Sequence, residues 1–133
     1  MDSQEIIERL QYNGDQFSIG NRQPFLDFLA EDVVIKLPFP ENVPWHGTHV
    51  GKDRMAWYLD YVAEALEFDS FEVLNVFGSG DSYAAHIKER IKVKSTGKWL
   101  EHEEIFLYRV RDDRIVEYQE FGDTEKFRDA FTA

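Results

Sequence analysis

Cysteine is absent from the chain, so its chemistry includes no disulfide, thiolate nucleophile or cysteine-ligated zinc. The absence fits a reducing compartment, and a cytoplasmic location is expected. Positive charge is scarce: 15 Lys and Arg stand against 26 Asp and Glu, for a formal charge of −11. Such a surface repels phosphate backbones and anionic lipid, so neither nucleic acid nor a membrane is an expected partner. No apolar run approaches the roughly 20 residues of a membrane span. The acidic start, Met1-Asp2-Ser3-Gln4-Glu5, lacks the apolar segment of a signal peptide. Proline occurs four times, three of them at Pro38, Pro40 and Pro44, which forces an irregular loop there.

The chain of 133 residues fits one domain, 1–133, able to bury roughly two-thirds of its unfolded surface. Hydrophobic residues make up 43%, too many for a disordered chain. Aromatics reach 15%, with 11 Phe, 6 Tyr and 3 Trp. That is more than a minimal core needs. It points either to an aromatic core with a dimer face or to an aromatic-lined pocket.

Asp2 and Glu5 have capping-box spacing, and Ile6, Leu10 and Phe17 follow at helical period. Gly14 weakens the middle of this helix, and Gly20-Asn21 ends it. Pro24 suits the first turn of a second, short helix with Phe25, Phe28 and Leu29 on its apolar face. A break at Ala30-Glu31-Asp32 precedes a β-branched strand through Val33, Val34, Ile35 and Leu37. After the proline loop, Met55, Tyr58, Leu59, Val62 and Leu66 mark a third helix.

From Phe68 the period changes to two. A first strand runs to Phe77, and Gly78-Ser79-Gly80-Asp81 turns the chain. Ala85, Ile87, Glu89 and Ile91 form one face of the next strand, with Lys88, Arg90 and Lys92 on the other. Leu100, His102, Glu104, Phe106 and Tyr108 share one face of the strand after it. Asp112-Asp113 is a hairpin turn, Ile115 to Gly122 a last strand, and Glu125 to Phe131 a closing helical turn. The expected class is α+β: a cone-shaped roll with three N-terminal helices packed on a curved, mostly antiparallel sheet.

His102 and Glu104 interrupt an otherwise apolar stripe. They are either pocket residues for acid–base work or part of a solvated strand end with Glu101 and Glu103. Glu89 either pairs with Lys or Arg across the sheet or joins them inside. His46 and His49 have no third ligand at a useful spacing, so no metal site is expected. The Lys88, Arg90 and Lys92 stripe is one strand wide and reads as a solvated or dimer-facing surface.

Three stretches carry a family likeness. They are Gly20-Asn21 with Phe25-Leu26-Asp27-Phe28-Leu29-Ala30-Glu31-Asp32-Val33; Trp45-His46-Gly47 with Gly51-Lys52-Asp53; and Arg109 through Thr124. In these and in its element order the chain resembles the SnoaL-like, ketosteroid isomerase-like branch of the nuclear transport factor 2-like superfamily. That resemblance implies one apolar pocket between helices and sheet, and no metal or organic cofactor. It implies polyketide cyclase, isomerase, dehydratase or epoxide hydrolase chemistry, or ligand or protein binding without catalysis.

Tyr12, Phe39, Trp45, Trp57, Tyr58, Glu89 and Phe106 are candidate ligand-binding residues, with plain core the alternative for the aromatics, and the loop carrying Trp45 resembles the family's cavity lip. Leu37 stands where steroid isomerases keep their proton-shuttling Asp, and Asn13, beside Tyr12, where they keep an enolate-binding Tyr. Arg90 and Asp123 match two epoxide hydrolase positions, with Lys92 at the third. Asp123 also matches the proton acceptor of the cyclases, although Gly122-Asp123-Thr124 equally suits a helix cap. The expected function is cofactor-independent proton transfer on an apolar, ring-containing small molecule. Asp123 is the expected base, and His102 and Glu104 orient the ligand. The alternatives are a non-catalytic ligand-binding domain and an interaction module. A homodimer through the sheet is expected.

Overall fold

A computed structural model describes all of residues 1–133. The capping box opens helix α1 (Ser3–Ser18): the Asp2 carboxylate accepts from the Glu5 backbone N–H at 2.8 Å. Gly14 does not break the helix. A Cβ there would lie 2.6 Å from Val73 Cγ2, so the missing side chain lets α1 lie close against the sheet. Helix α2 (Gln23–Asp27) carries Pro24 in its first turn.

Strand β1 (Leu29–Leu37) follows without the expected break. Ala30, Glu31 and Asp32 lie inside it, and a register shift between Leu29 and Val34 takes up the irregularity. The proline loop is also less irregular than expected. It contains β2 (Gly47–Val50), antiparallel to β1. Helix α3 (Lys52–Ala65) leads into β3 (Leu66–Ser79), β4 (Ser82–Val93), β5 (Lys98–Arg111) and β6 (Arg114–Phe121). Asp112 and Asp113 join β5 to β6 with φ of 52° and 58°, as a tight hairpin of the mirror-image type demands. The expected closing turn is a full fourth helix, α4 (Thr124–Phe131).

The six strands form one sheet in the order β2-β1-β6-β5-β4-β3. All neighbours are antiparallel except β1 and β6, which are parallel. The sheet is curved and unclosed. Its last strand, β3, is shifted in register against β4 between Phe68 and Ser70 and again between Val73 and Asn75. The core lies between the helices and the concave face, with Phe28, Val33, Ile35, Met55, Ile91 and Ile115 wholly buried.

The opposite face carries the basic stripe. Arg90 pairs with Asp69 at 3.2 Å and lies 4.1 Å over the Trp99 ring, and Lys88 reaches Glu101 at 3.7 Å. No helix is long and apolar enough to cross a membrane.

Candidate active site on the concave sheet face

Three adjacent strands bring carboxylates to one place. In β4, the inward alternation Ala85, Ile87, Glu89, Ile91 puts Glu89 on the concave face. In β5, His102, Glu104, Phe106 and Tyr108 share that face, and in β6 Tyr118 and Glu120 do. Register then sets Glu89 opposite His102, Ile87 opposite Glu104, and Phe106 opposite Glu120. Glu89, His102, Glu104 and Glu120 are all buried. His102 and Glu104 are therefore not part of a solvated strand end.

These polar groups mostly serve one another. His102 Nε2 donates to Glu89 Oε1 at 2.8 Å and stands 3.7 Å from Glu104 Oε2. Glu89 thus takes a histidine partner rather than a Lys or Arg. The hydroxyls of Tyr58, from α3, and Tyr118 both donate to Glu120 Oε2, at 2.7 and 2.6 Å. Burial pushes the Glu120 carboxyl up to about 7; the two phenol hydrogen bonds pull it back down and the Glu89 charge adds to the rise. Glu104 is held well above the usual carboxylate range, first by burial, then by the Glu89 and Glu120 charges and a hydrogen bond to Glu89. Burial likewise raises Tyr58, Tyr108 and Tyr118, so the phenols keep their protons and remain donors.

A narrow, apolar-walled cleft opens over these groups. Its cavity volume is about 70 Å³. Glu89, Glu104, Glu120, Phe39, Trp45, Tyr58 and Phe106 all line it. Trp45 comes from the proline loop, its ring 5.9 Å from Tyr58 and 6.3 Å from Phe39. It is 1% exposed, so it is a packed wall and not a loose lip. His102 sits behind the lining, its ring 5.0 Å from Phe127 and against Gly122, where a Cβ would stand 3.0 Å from Cε1.

Three sequence candidates stand elsewhere. Trp57 lies outside the cleft lining. Tyr12 is on the exposed side of α1, 52% exposed. The next residue, a 100° step around the helix, is Asn13, which is buried and lines the cleft. Asp123 is exposed and outside the cleft. It is the N-cap of α4, accepting from the Lys126 backbone N–H at 3.1 Å. Strand β6 ends at Phe121, so the chain has already left the concave face at Asp123. The carboxylate that β6 presents to the cleft is Glu120.

Glu120 and Asn13 carry no expected role from the sequence. Glu120 follows Tyr118 by two, as Glu104 follows His102. Asn13 lies three after Leu10 and four before Phe17, on the inward stripe of α1.

His46 Nδ1 lies 2.7 Å from the Val43 carbonyl, and His49 Nε2 lies 3.0 Å from that of Trp45. Both brace the loop. Donor atoms of Glu89, His102 and Glu104 come within 4.8 Å of one another, close enough to surround one ion. However, Nε2 of His102 is already engaged by Glu89, and Nδ1 has no acceptor. A metal-bound imidazole almost always has such an orienting partner, so the set reads as a proton-sharing cluster.

Solved structures share this architecture. A nuclear transport factor 2-like protein from Burkholderia xenovorans is 23% identical, with 99% of each chain covered and a TM-score of 0.84. A protein provisionally assigned as an isomerase, from Bacillus subtilis, is 23% identical over 98% of this chain and 96% of its own, with a TM-score of 0.80. One provisionally assigned as a SnoaL-like polyketide cyclase, from Mesorhizobium loti, is 20% identical over 87% of this chain and 97% of its own, with a TM-score of 0.75. At these identities the likeness carries the fold and not the reaction. No curated protein matches the chain significantly. The SnoaL-like domain matches residues 12–118, from within α1 to the middle of β6, and the chain belongs to that family.

Proposed function

We propose that the chain is a cofactor-independent proton-transfer enzyme of the isomerase, cyclase or dehydratase type. Its substrate is an apolar, ring-containing small molecule held in the concave cleft, and Glu120 moves the proton. The observation that carries this reading is the placement of Glu120, a buried carboxylate on an aromatic wall, steadied by two phenol hydroxyls on one oxygen. A carboxyl poised at about 7 gains and loses protons readily at neutral pH. As carboxylate, Glu120 takes a proton from the carbon beside a ligand carbonyl. The electron pair moves onto the carbonyl oxygen as an enolate. Protonated Glu120 returns the proton to a different carbon of the same ligand. Tyr58 and Tyr118 fix the carboxyl, and the apolar walls keep water from competing.

The test is hydrogen–deuterium exchange at the carbon beside the carbonyl of a cyclic enone, followed by NMR in D2O. The wild-type protein should accelerate exchange. Glu120→Gln should lower the rate by about a hundredfold or more, and Asp123→Asn should leave it unchanged. A rate that falls with Asp123→Asn and not with Glu120→Gln would place the base at the helix cap instead. Binding without exchange would make the protein a ligand carrier.

Two copies are proposed to pair through the convex sheet face. Trp99 and Phe121 there are 42% and 45% exposed, and Phe121 lies opposite Ile105 in register. Sedimentation at micromolar concentration should give twice the 15.7 kDa chain mass; a species at the chain mass alone would exclude the pairing.

A further inference from the structure

The cleft gathers acidic groups, and their one basic neighbour, His102, stands behind the lining. Of the residues that line it, none is Lys or Arg, while Glu89, Glu104 and Glu120 all do. The titratable groups facing this cluster are Tyr58 from α3, Glu89 from β4, His102, Glu104 and Tyr108 from β5, and Tyr118 and Glu120 from β6. The tyrosines are neutral donors. His102 Nε2 is bonded to Glu89, and its Nδ1 has no partner. His102 lies 2.8 Å from Glu89 and 3.7 Å from Glu104 and eases the charge on Glu120, so three carboxyls face a single imidazole. Several aromatic faces, among them Phe39, Trp45, Phe106 and Phe127, border the same space.

A second, independent observation also points to a ligand. Asn13 is 3% exposed and Trp45 1%. Both line the cleft, yet Asn13 Nδ2 and Oδ1 and Trp45 Nε1 have no hydrogen-bond partner. Buried polar atoms are rarely left unpaired, because each has given up its hydrogen bonds to water without replacement. These three need an external group that accepts from the indole N–H and both accepts from and donates to an amide.

We propose that the cleft is built for an organic cation: an apolar, ring-bearing amine that also carries a hydroxyl or carbonyl oxygen. The ammonium sits among Glu89, Glu104 and Glu120 against the aromatic faces, where a cation is attracted both by the carboxylates and by the ring quadrupoles. Its oxygen function reaches the amide of Asn13 or the indole of Trp45. The proposal rests on the same cleft as the proton-transfer reading and, where the oxygen is a carbonyl, names the substrate class for it. A divalent metal ion fits less well: His102 lacks an orienting partner, the Tyr58 and Tyr118 hydroxyls occupy Glu120, and the walls are rings.

Calorimetric titration with benzylamine, benzyl alcohol and benzoate, at pH 7.5 in phosphate and in Tris, tests it. Benzylamine should bind at least about tenfold tighter than benzyl alcohol, and benzoate should not bind. Binding should release protons from the carboxyl cluster, read as a difference in heat between the two buffers. Glu104→Gln and Glu120→Gln, both nearly isosteric, should remove the preference for the amine. If a variant fails to fold, the wild-type probe series and the proton release still decide. Benzyl alcohol binding as tightly as benzylamine would overturn the proposal, as would benzylamine binding without proton release. Stoichiometric binding of zinc or manganese alone, lost in Glu104→Gln and without amine preference, would make the cluster a metal site instead. The neutral enone exchange assay reads the proton-transfer proposal separately, so either can fail while the other stands.

Discussion

The two faces of β4 and β5 are built from alternate residues of the same strands and use acidic side chains in opposite ways. Outside, Glu101 and Glu103 meet Lys88 at 3.7 Å and His86 at 2.7 Å, all of them wetted by solvent. Inside, Glu89 and Glu104 meet a histidine and each other, with no basic residue lining the cleft. On the outer face water and salt screen the charges, and each pair is worth little. On the inner face nothing screens them, so protons settle the charge. The contrast teaches that position on the pleat, and not residue type, decides whether an acid is solubilising or reactive.

That contrast can be pressed hardest at the cleft wall. Trp45→Ala should lower stability by about 3–5 kcal/mol, the usual cost of emptying a buried Trp site. Trp45 packs on Phe39, Tyr58, Tyr61 and Phe131. Ligand affinity should fall in the same variant. Urea unfolding measures the first effect and calorimetry the second; unchanged stability would mean that the wall is looser than its burial indicates.

A smaller effect concerns pH. Glu120 rises from 4.5 to about 7 on folding, so between those values the native state binds more protons than the unfolded chain. Stability is then greatest near the unfolded value and falls as pH rises through about 7, with a loss of roughly 3 kcal/mol for this group. Glu104, raised in the same direction, steepens the fall. Thermal unfolding should show a higher midpoint at pH 5 than at pH 8, and Glu120→Gln should flatten the slope. A midpoint independent of pH would show that the inner carboxyls are better solvated than the geometry allows.

The smallest effect belongs to the outer face. Lys88→Ala should change stability by less than about 1 kcal/mol, and less still in high salt. A loss comparable to that of Trp45→Ala would erase the distinction between the faces.

The long strands made much of this legible. Over β4 and β5 strict alternation persists, so spacing sets His102, Glu104 and Phe106 on one face of β5 and Glu89 with Ile87 and Ile91 on one face of β4, and the pairing register joins the two. The tight turn at Asp112-Asp113 was equally plain. Strand β6 defeated the same rule. Its register against β5 shifts between Arg109 and Val110, leaving Val116 as an extra residue, so alternation counted from Ile115 points Glu117 and Gln119 inward. The bulge reverses the count and turns Tyr118 and Glu120 to the cleft. A bulge depends on the pairing of two strands and leaves no local mark. Asp123 stands just past the end of β6, and Gly122-Asp123-Thr124 is also the sequence of the helix cap that it forms. On α1 the choice between Tyr12 and Asn13 turned on one helical step, and polarity gave no warning that the buried residue would be the amide.

The open end of the sheet has a consequence for the life of the protein in a crowded solution. Strand β3 is 14 residues long and has no neighbour on its outer side. A flat strand of that length bearing Phe68, Phe71, Val73 and Phe77 would be a template for fibril growth by strand addition. Its two register shifts against β4 interrupt the even row of backbone donors and acceptors that an incoming chain needs. Glu67, Asp69 and Glu72 lie exposed along the same strand, so a second copy aligned in register would set like charges against like. The irregular, acidic rim thus acts as a guard against self-templating, and smoothing it with Glu→Val changes would trade solubility for edge-to-edge assembly.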